Sequence, residues 1–266
     1  MSSKAWEGTF TIPCPGRNAK PRQTGLTMVI DKGLGEHALK DLLQTAGDYI
    51  DIIKLTFGTS AFYDLEVLKN KNTLITSAGV DVMPGGTFLE VCVWQNRIDS
   101  YLKRALQVGF TAIEVSDGTI QMDRSTRRDV IRRARDLGFK VVTEVGKKDP
   151  AESPPMEVIH ELIPEDLGNG AFKVIIEARE AGRGVGIFDK EGRTKEAEIE
   201  RIMEGGPAID DLIWEAPLKN QQQDLILRFG LNVSLGNIPP EEVLALESLR
   251  QGLRGDTLKQ AYLAAR

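Results

Sequence analysis

The sequence predicts an α/β protein, a single (β/α)8 TIM barrel with a short N-terminal arm. Three observations predict it. Eight short apolar runs recur along the chain, at 26–31, 49–55, 80–84, 110–116, 139–145, 172–178, 209–216 and 231–236. Each is followed by a stretch able to form a helix, the alternation that builds a parallel sheet. Each also ends in charged, small or polar residues, and in such barrels the carboxyl ends of the strands carry the chemistry. A chain of 266 residues fits one domain of this kind, because β/α barrels reach about 250 residues undivided.

The elements follow in order. Residues 1–24 hold Pro13, Pro15, Gly16 and Pro21 with little periodicity and read as an arm over the barrel bottom or a neighbouring subunit; 25–266 read as the barrel. Strand 1 runs into Asp31 and Lys32, and strand 2 reaches Lys54 inside the apolar run YIDIIKL, where a charge needs a partner. Strand 3 leads straight into Pro84-Gly85-Gly86-Thr87. Strand 4 brings Glu114, Ser116 and Asp117. Asp123 caps the next helix, Asp129 pairs with Arg132 or Arg133 one turn on, and Gly138 ends it. The six arginines between Asp123 and Arg135 read as a solvated face. Strand 5 brings Glu144, Lys147 and Lys148, strand 6 brings Glu177 and Arg179, and strand 7 brings Glu215. Gly182-Arg183-Gly184-Val185-Gly186 has the wrong spacing for a dinucleotide fingerprint and reads as a flexible loop or lid. Strand 8 passes through Ser234-Leu235-Gly236-Asn237 into a helix opened by Pro239-Pro240-Glu241-Glu242.

Composition narrows the function. With 41% hydrophobic and 27% charged residues the chain is ordinary for a globular protein. A net charge of -5 argues against nucleic acid or an anionic membrane as partner. The apolar runs are too short to cross a bilayer and the N-terminus lacks a signal-like apolar region, so a cytoplasmic location is expected. Cys14 and Cys92 lack metal-ligand spacing. His37 and His160, the only histidines, fall in predicted helices away from the strand ends, which excludes a histidine triad or multi-histidine metal site.

Strand parity gathers the acids into a site. Alternate side chains share a face, so Glu114 and Ser116 point one way, as do Val142 with Glu144 and Ile175 with Glu177. Carboxylates from strands 4 to 7 converging at one mouth repel unless they are protonated, paired with rim cations, or bound to a hard metal. Mg²⁺, with its octahedral oxygen shell, fits this demand; ion pairing within the rim is the alternative. Lys32, Lys54, Lys147, Lys148, Arg179 and Arg183 imply an anionic substrate. The turns at Gly85-Gly86 and at Ser234-Leu235-Gly236-Asn237 are expected to aim backbone N–H groups at phosphate.

The same residues carry a family likeness, through VIDKGL (29–34), GDYIDIIK (47–54), PGGT (84–87), EVSDG (114–118), TEVGKK (143–148), IIEAREAGRGVGIFDKEG (175–192), EAPLKNQQ (215–222) and LRGDT (253–257). In order and over nearly all of 22–257, the chain resembles the phosphosulfolactate synthase family, which also includes heat-stress-associated relatives. The resemblance implies Mg²⁺-dependent addition of sulfite to phosphoenolpyruvate, giving phosphosulfolactate, toward coenzyme M in methanogens and sulfolactate in some bacteria. It implies a lysine that protonates C2, assigned to Lys147 ahead of Lys54, with Glu114 completing the catalytic set. Glu144, Glu177 and Glu215, with Asp31, become the metal or metal-water ligands. Lys32, Arg179, Arg183, Gly85, Gly86, Ser234, Gly236 and Asn237 become substrate-binding residues. Phosphoenolpyruvate, sulfite and further copies of the chain are the expected partners. Two positions depart from the expected pattern: LTFGTS at 55–60 stands for Phe-Gly-Trp-Gly-Thr-Ser, and Val233-Ser234-Leu235 for Val-Asn-Leu. Both are expected at the barrel mouth, where they bear on the choice of nucleophile.

Overall fold

A computed structural model describes residues 4–179, 181–204 and 206–265. Residues 1–3 of the arm, position 180 of the long strand 6 motif, and the last barrel residue lie outside the described residues. Strands and helices alternate in the expected order: β1 (Thr27–Asp31), α1 (Glu36–Ala46), β2 (Ile52–Leu55), α2 (Leu65–Ser77), β3 (Asp81–Pro84), α3 (Gly86–Trp94), α4 (Ile98–Gln107) and β4 (Ala112–Val115). There follow α5 (Arg124–Asp136), β5 (Lys140–Val145), α6 (Met156–Asn169), β6 (Lys173–Ile176), α7 (Glu196–Met203), β7 (Leu212–Glu215), α8 (Lys219–Phe229), β8 (Leu235–Ile238), α9 (Val243–Arg250) and α10 (Gly255–Ala264).

The strands form one 8-stranded parallel sheet in the order β3-β2-β1-β8-β7-β6-β5-β4. Thr111 closes it into a barrel. Its N–H donates to Val82 O at 3.1 Å, while its hydroxyl accepts from Val82 N–H at 3.0 Å and donates to Asp81 at 2.9 Å. The barrel is a (β/α)8 fold, with two cores set by strand parity. One set of strand residues, including Val29, Ile53, Ile113, Val141, Val174 and Trp214, packs outward against Leu39, Ile75, Ile131, Ile163 and Leu225 of the helices. The other points inward, where Met28, Ile52, Met83, Ala112, Val142, Ile175 and Ile213 plug the interior. Two residues further along the same strands come Ile30, Lys54, Gly85, Glu114, Glu144, Glu177 and Glu215, so the next layer is largely polar.

The arm lies across the amino-terminal end of the barrel. Arg17 pairs with Glu247 of α9 at 3.1 Å, Arg22 with Asp51 at 3.1 Å, and Cys14 N–H donates to Gln251 O at 3.1 Å. Among the described residues no helix is long and apolar enough to cross a membrane.

Two segments differ from the sequence expectation. β8 begins at Leu235, about where the expected strand was to end. The preceding carbonyls of Leu231 and Val233 are taken by the buried Arg250 guanidinium, at 2.6 and 2.7 Å, and so do not join the ladder. The glycine-rich run after β6 is packed down instead of standing open. Val185, Ile187 and Phe188 are buried, Phe188 bridges Thr194, and the buried Gln221 amide donates to Gly182 O at 2.6 Å.

Candidate active site

A cavity of about 340 Å³ opens at the carboxyl ends of the strands. Its floor is the polar layer above the apolar plug. Lys54 from β2 lies 3.2 Å from Glu114, 3.1 Å from Glu215 and 3.9 Å from Glu144, and all four side chains are nearly closed to solvent. Glu144, Glu177 and Glu215 each offer an oxygen within 4.8 Å of the others. Two buried oxygens, Glu144 Oε1 and Glu177 Oε2, have no hydrogen-bond donor. A cluster of this composition can hold a divalent cation, since several carboxylates and one ammonium leave an excess of negative charge in a dry place.

Backbone geometry admits these acids. Gly86 opens α3, and a Cβ there would stand 2.8 Å from Glu114 Oε1 and collide with Ser116 Oγ. Gly146, at φ 123°, leaves room for the Glu177 side chain, whose Cβ a methyl would meet at 2.8 Å. Arg179 takes the left-handed conformation, which brings its N–H to Glu177 Oε1 at 2.6 Å. Ala178 N–H donates to Glu215 Oε2 at 3.0 Å.

The electrostatics follow from this packing. Burial opposes charge on Lys54, but Glu114, Glu215, Glu144 and Glu177 together hold its pKa well above the ordinary lysine value. Burial, then the neighbouring Glu177 and Glu114, pushes Glu144 well above the carboxylate range. Burial and Glu215 raise Glu177 to about 7. In the absence of a metal ion, burial and mutual repulsion thus favour protons on Glu144 and Glu177, while Lys54 pairs with Glu114 and Glu215.

The wall supplies the positive side. Lys148 reaches the cavity and donates to Thr87 Oγ1 at 2.5 Å, on the first turn of α3, where backbone N–H groups lack intrahelical acceptors. Gly85, Gly86 and Arg179 line the same space. So does Asn237, left-handed at φ 53°, with its buried Oδ1 unpartnered.

Several expected site residues lie elsewhere. Lys147 points behind the wall, its ammonium on the carbonyls of Asp117 and Ile120 and 3.1 Å from the Asp117 carboxylate. Beyond the end of β5 the chain turns at Gly146, and with Lys147 taken by those carbonyls it is Lys148 that reaches the cavity. Asp31 is occupied by Lys71 at 2.7 Å and by the N–H groups of Gly33 and Leu34, both at 2.7 Å, which makes it a brace for the turn after β1. Lys32 is exposed over the Phe57 ring, and Arg183 is exposed on the packed loop; neither lines the cavity. Ser234 sits at the amino end of β8, where its Oγ accepts from Leu26 N–H at 3.1 Å, far from the mouth. Gly236 faces the interior plug, since a Cβ there would meet Met28 Cε at 2.6 Å.

Thr56 and Phe57, in the 55–60 run expected at the mouth, line the cavity, as do Thr87 at the start of α3 and Thr119, which a reading by strand ends does not reach. Arg127, grouped by sequence with a solvated face, is buried; it grips Asp166 at 2.6 Å and donates to Glu144 O at 3.0 Å, bracing a ligand candidate from behind. Its place beside Val130, Ile131 and Ala134 on the helix period was the available signal.

The family model described as (2R)-phospho-3-sulfolactate synthase (ComA) matches residues 15–256. The chain is 41% identical to the phosphosulfolactate synthase of Methanothermobacter thermautotrophicus over 256 residues, covering 96% of this chain and 99% of that one. It is 45% identical to the phosphosulfolactate synthase of Methanocaldococcus jannaschii over 237 residues, 88% and 94% of the two chains. Among solved structures, 3-hexulose-6-phosphate synthase from Salmonella typhimurium superposes with a TM-score of 0.54 at 13% identity, covering 84% of this chain and 97% of that one, a likeness of fold alone.

Proposed function

The chain belongs to the phosphosulfolactate synthase family, and we accordingly propose that its barrel mouth joins sulfite to C3 of phosphoenolpyruvate to give 2-phospho-3-sulfolactate. The observation that carries this reading is the meeting of three buried carboxylates, two of their oxygens without donors, with two lysines and an arginine in one small cavity.

Glu144, Glu177 and Glu215 are the residues suited to hold Mg²⁺, since their hard oxygens converge without help from histidine or cysteine. When bound, Mg²⁺ supplies positive charge to the substrate carboxylate as electrons move toward it. Lys54 stays charged in the floor, where it restrains Glu114 and Glu215. The α3 N-terminus, Thr87, Lys148 and Arg179 offer donors and charge to the phosphate and to sulfite. Sulfite brings its sulfur lone pair to C3, and the C2–C3 π pair shifts toward C2 and the carboxylate. Lys148, whose ammonium faces the cavity, delivers a proton to C2 and recovers one from water. The role expected of Lys147 thus passes to its neighbour.

Purified protein incubated with phosphoenolpyruvate, sulfite and Mg²⁺ tests this. Loss of enol absorbance that needs both sulfite and Mg²⁺ supports the reading. Phosphoenolpyruvate that stays intact under those conditions rejects it. A second reading, another nucleophile adding to the same enol, is favoured by Thr56, which lines the cavity where glycine was expected. Thiols and carboxylates outcompeting sulfite in the same assay would establish it.

A further inference from the structure

Behind the cavity wall lies a buried carboxylate that the reaction above does not use. Glu90 is carried by α3 and is 1% exposed. Among the described residues it has no ion pair. Its Oε1 accepts from Ser116 Oγ at 2.6 Å, and its Oε2 accepts from the N–H groups of Thr119 at 2.8 Å and Ile120 at 3.0 Å. Three donors on one buried acid fasten the turn leaving β4 against α3.

That turn is the surface on which Lys148 rests. The Lys148 N–H donates to Gly118 O at 3.0 Å. A Cβ on Gly118 would stand 3.3 Å from Lys148 Cε, so the lysine stem crosses the bare face of the glycine. The ammonium then meets Thr87, on the first turn of the same helix. The circuit closes: α3 grips the turn through Glu90, the turn carries Lys148, and Lys148 returns to α3.

We infer that Glu90 is a positioning residue, which fixes Lys148 toward the cavity through the 116–120 turn. What Lys148 does there rests on the sulfite-addition reading; the positioning itself does not. A lysine stem free to sample its rotamers spends only part of its time in any one pose, and the turn removes that freedom.

Two substitutions separate the roles of the carboxylate. Glu90→Met keeps the length of the side chain and removes both oxygens, which leaves the buried Ser116 hydroxyl and the half-buried N–H groups of Thr119 and Ile120 without their acceptor. Glu90→Gln can turn its amide so that the oxygen accepts from Thr119 and Ile120 while the NH₂ donates to Ser116. The experiment measures amide hydrogen exchange and steady-state kinetics in the full chain for these variants, Lys148→Met, and Lys148→Met combined with Glu90→Met. Glu90→Met is expected to speed exchange at Thr119, Ile120 and Lys148 by about 10-fold and to lower kcat/KM by a similar factor, as loss of hydrogen bonds to a charged acceptor implies. Glu90→Gln recovers most of both. Once Lys148 is gone, adding Glu90→Met lowers kcat/KM no further. Unchanged exchange at Lys148 in Glu90→Met, or losses that multiply in the double variant, overturns the inference. If Glu90→Met does not fold, Ser116→Ala removes one of the three donors and is expected to speed Lys148 exchange to a smaller degree; no change there also overturns it. A wild-type protein that forms no product rejects the sulfite-addition reading, while exchange at Lys148 still decides the positioning.

Discussion

Lys54 is the only cation within 4 Å of the acids on the cavity floor among the described residues, and its removal leaves like charges facing one another away from water. Lys54→Met is expected to lower the unfolding free energy by about 3 kcal/mol, as for a buried pair that loses one partner, and to abolish product formation. Urea denaturation beside the kinetic assay checks both. Glu177 gives the pH dependence. Burial and Glu215 hold it at about 7, against 4.5 when unperturbed. Between those values the unfolded chain binds fewer protons than the folded one, so the stability of the cation-free protein falls as pH rises. A divalent cation competes with the same protons, so its affinity rises as pH passes upward through about 7. Thermal unfolding with and without Mg²⁺ across that window shows the two trends diverging, and parallel curves would contradict the cluster. The floor was legible in the sequence because strand parity alone places Lys54, Glu114, Glu144, Glu177 and Glu215 one layer above the apolar plug. Lys147 and Lys148 were not separable, because they lie beyond the end of β5, where alternation no longer holds and the carbonyls of Asp117 and Ile120 decide which lysine is taken.

The start of α3 makes a sharp prediction at the scale of elements. Gly86→Ala pushes a methyl into Glu114 and Ser116. The overpacking is expected to cost about 1–3 kcal/mol and to cut kcat/KM, read by denaturation and kinetics. β8 supplies a contrast between its two ends. Ser234→Ala removes the acceptor for Leu26 N–H at the barrel bottom and is expected to cost about 1 kcal/mol of stability with kcat/KM unchanged. Asn237→Gly, which keeps the left-handed backbone accessible, is expected at the mouth to reduce kcat/KM with stability nearly unchanged. Equal kinetic effects from the two would contradict the strand register. That register was not legible. The apolar residues Leu231 and Val233 look like strand, but their carbonyls go to Arg250, a partner distant in sequence. Arg127 was hidden for a related reason, since a run of arginines masks the single one that the helix period turns inward.

The whole molecule divides its tasks between two ends. At one end the arm, Arg17 with Glu247 and Arg250 with the carbonyls before β8 close the barrel bottom. At the other, every strand or the turn leaving it contributes a residue to the cavity, and eight separate strand ends become one site only because the sheet closes at Thr111. This architecture was legible from the recurrence of apolar runs; the packing of the loop after β6 was not, because Gln221, on a later helix, pins it. The proposed reaction forms a carbon–sulfur bond at C3 while the phosphate stays on the substrate. The most direct test is NMR of the reaction with phosphoenolpyruvate labelled with ¹³C at C3, run with sulfite and Mg²⁺ in D₂O. The labelled carbon is expected to become a sulfonate-bearing CH₂, C2 to gain one deuterium, and no inorganic phosphate to appear. A labelled carbon that remains olefinic, or phosphate released in step with its conversion, would contradict the proposed reaction.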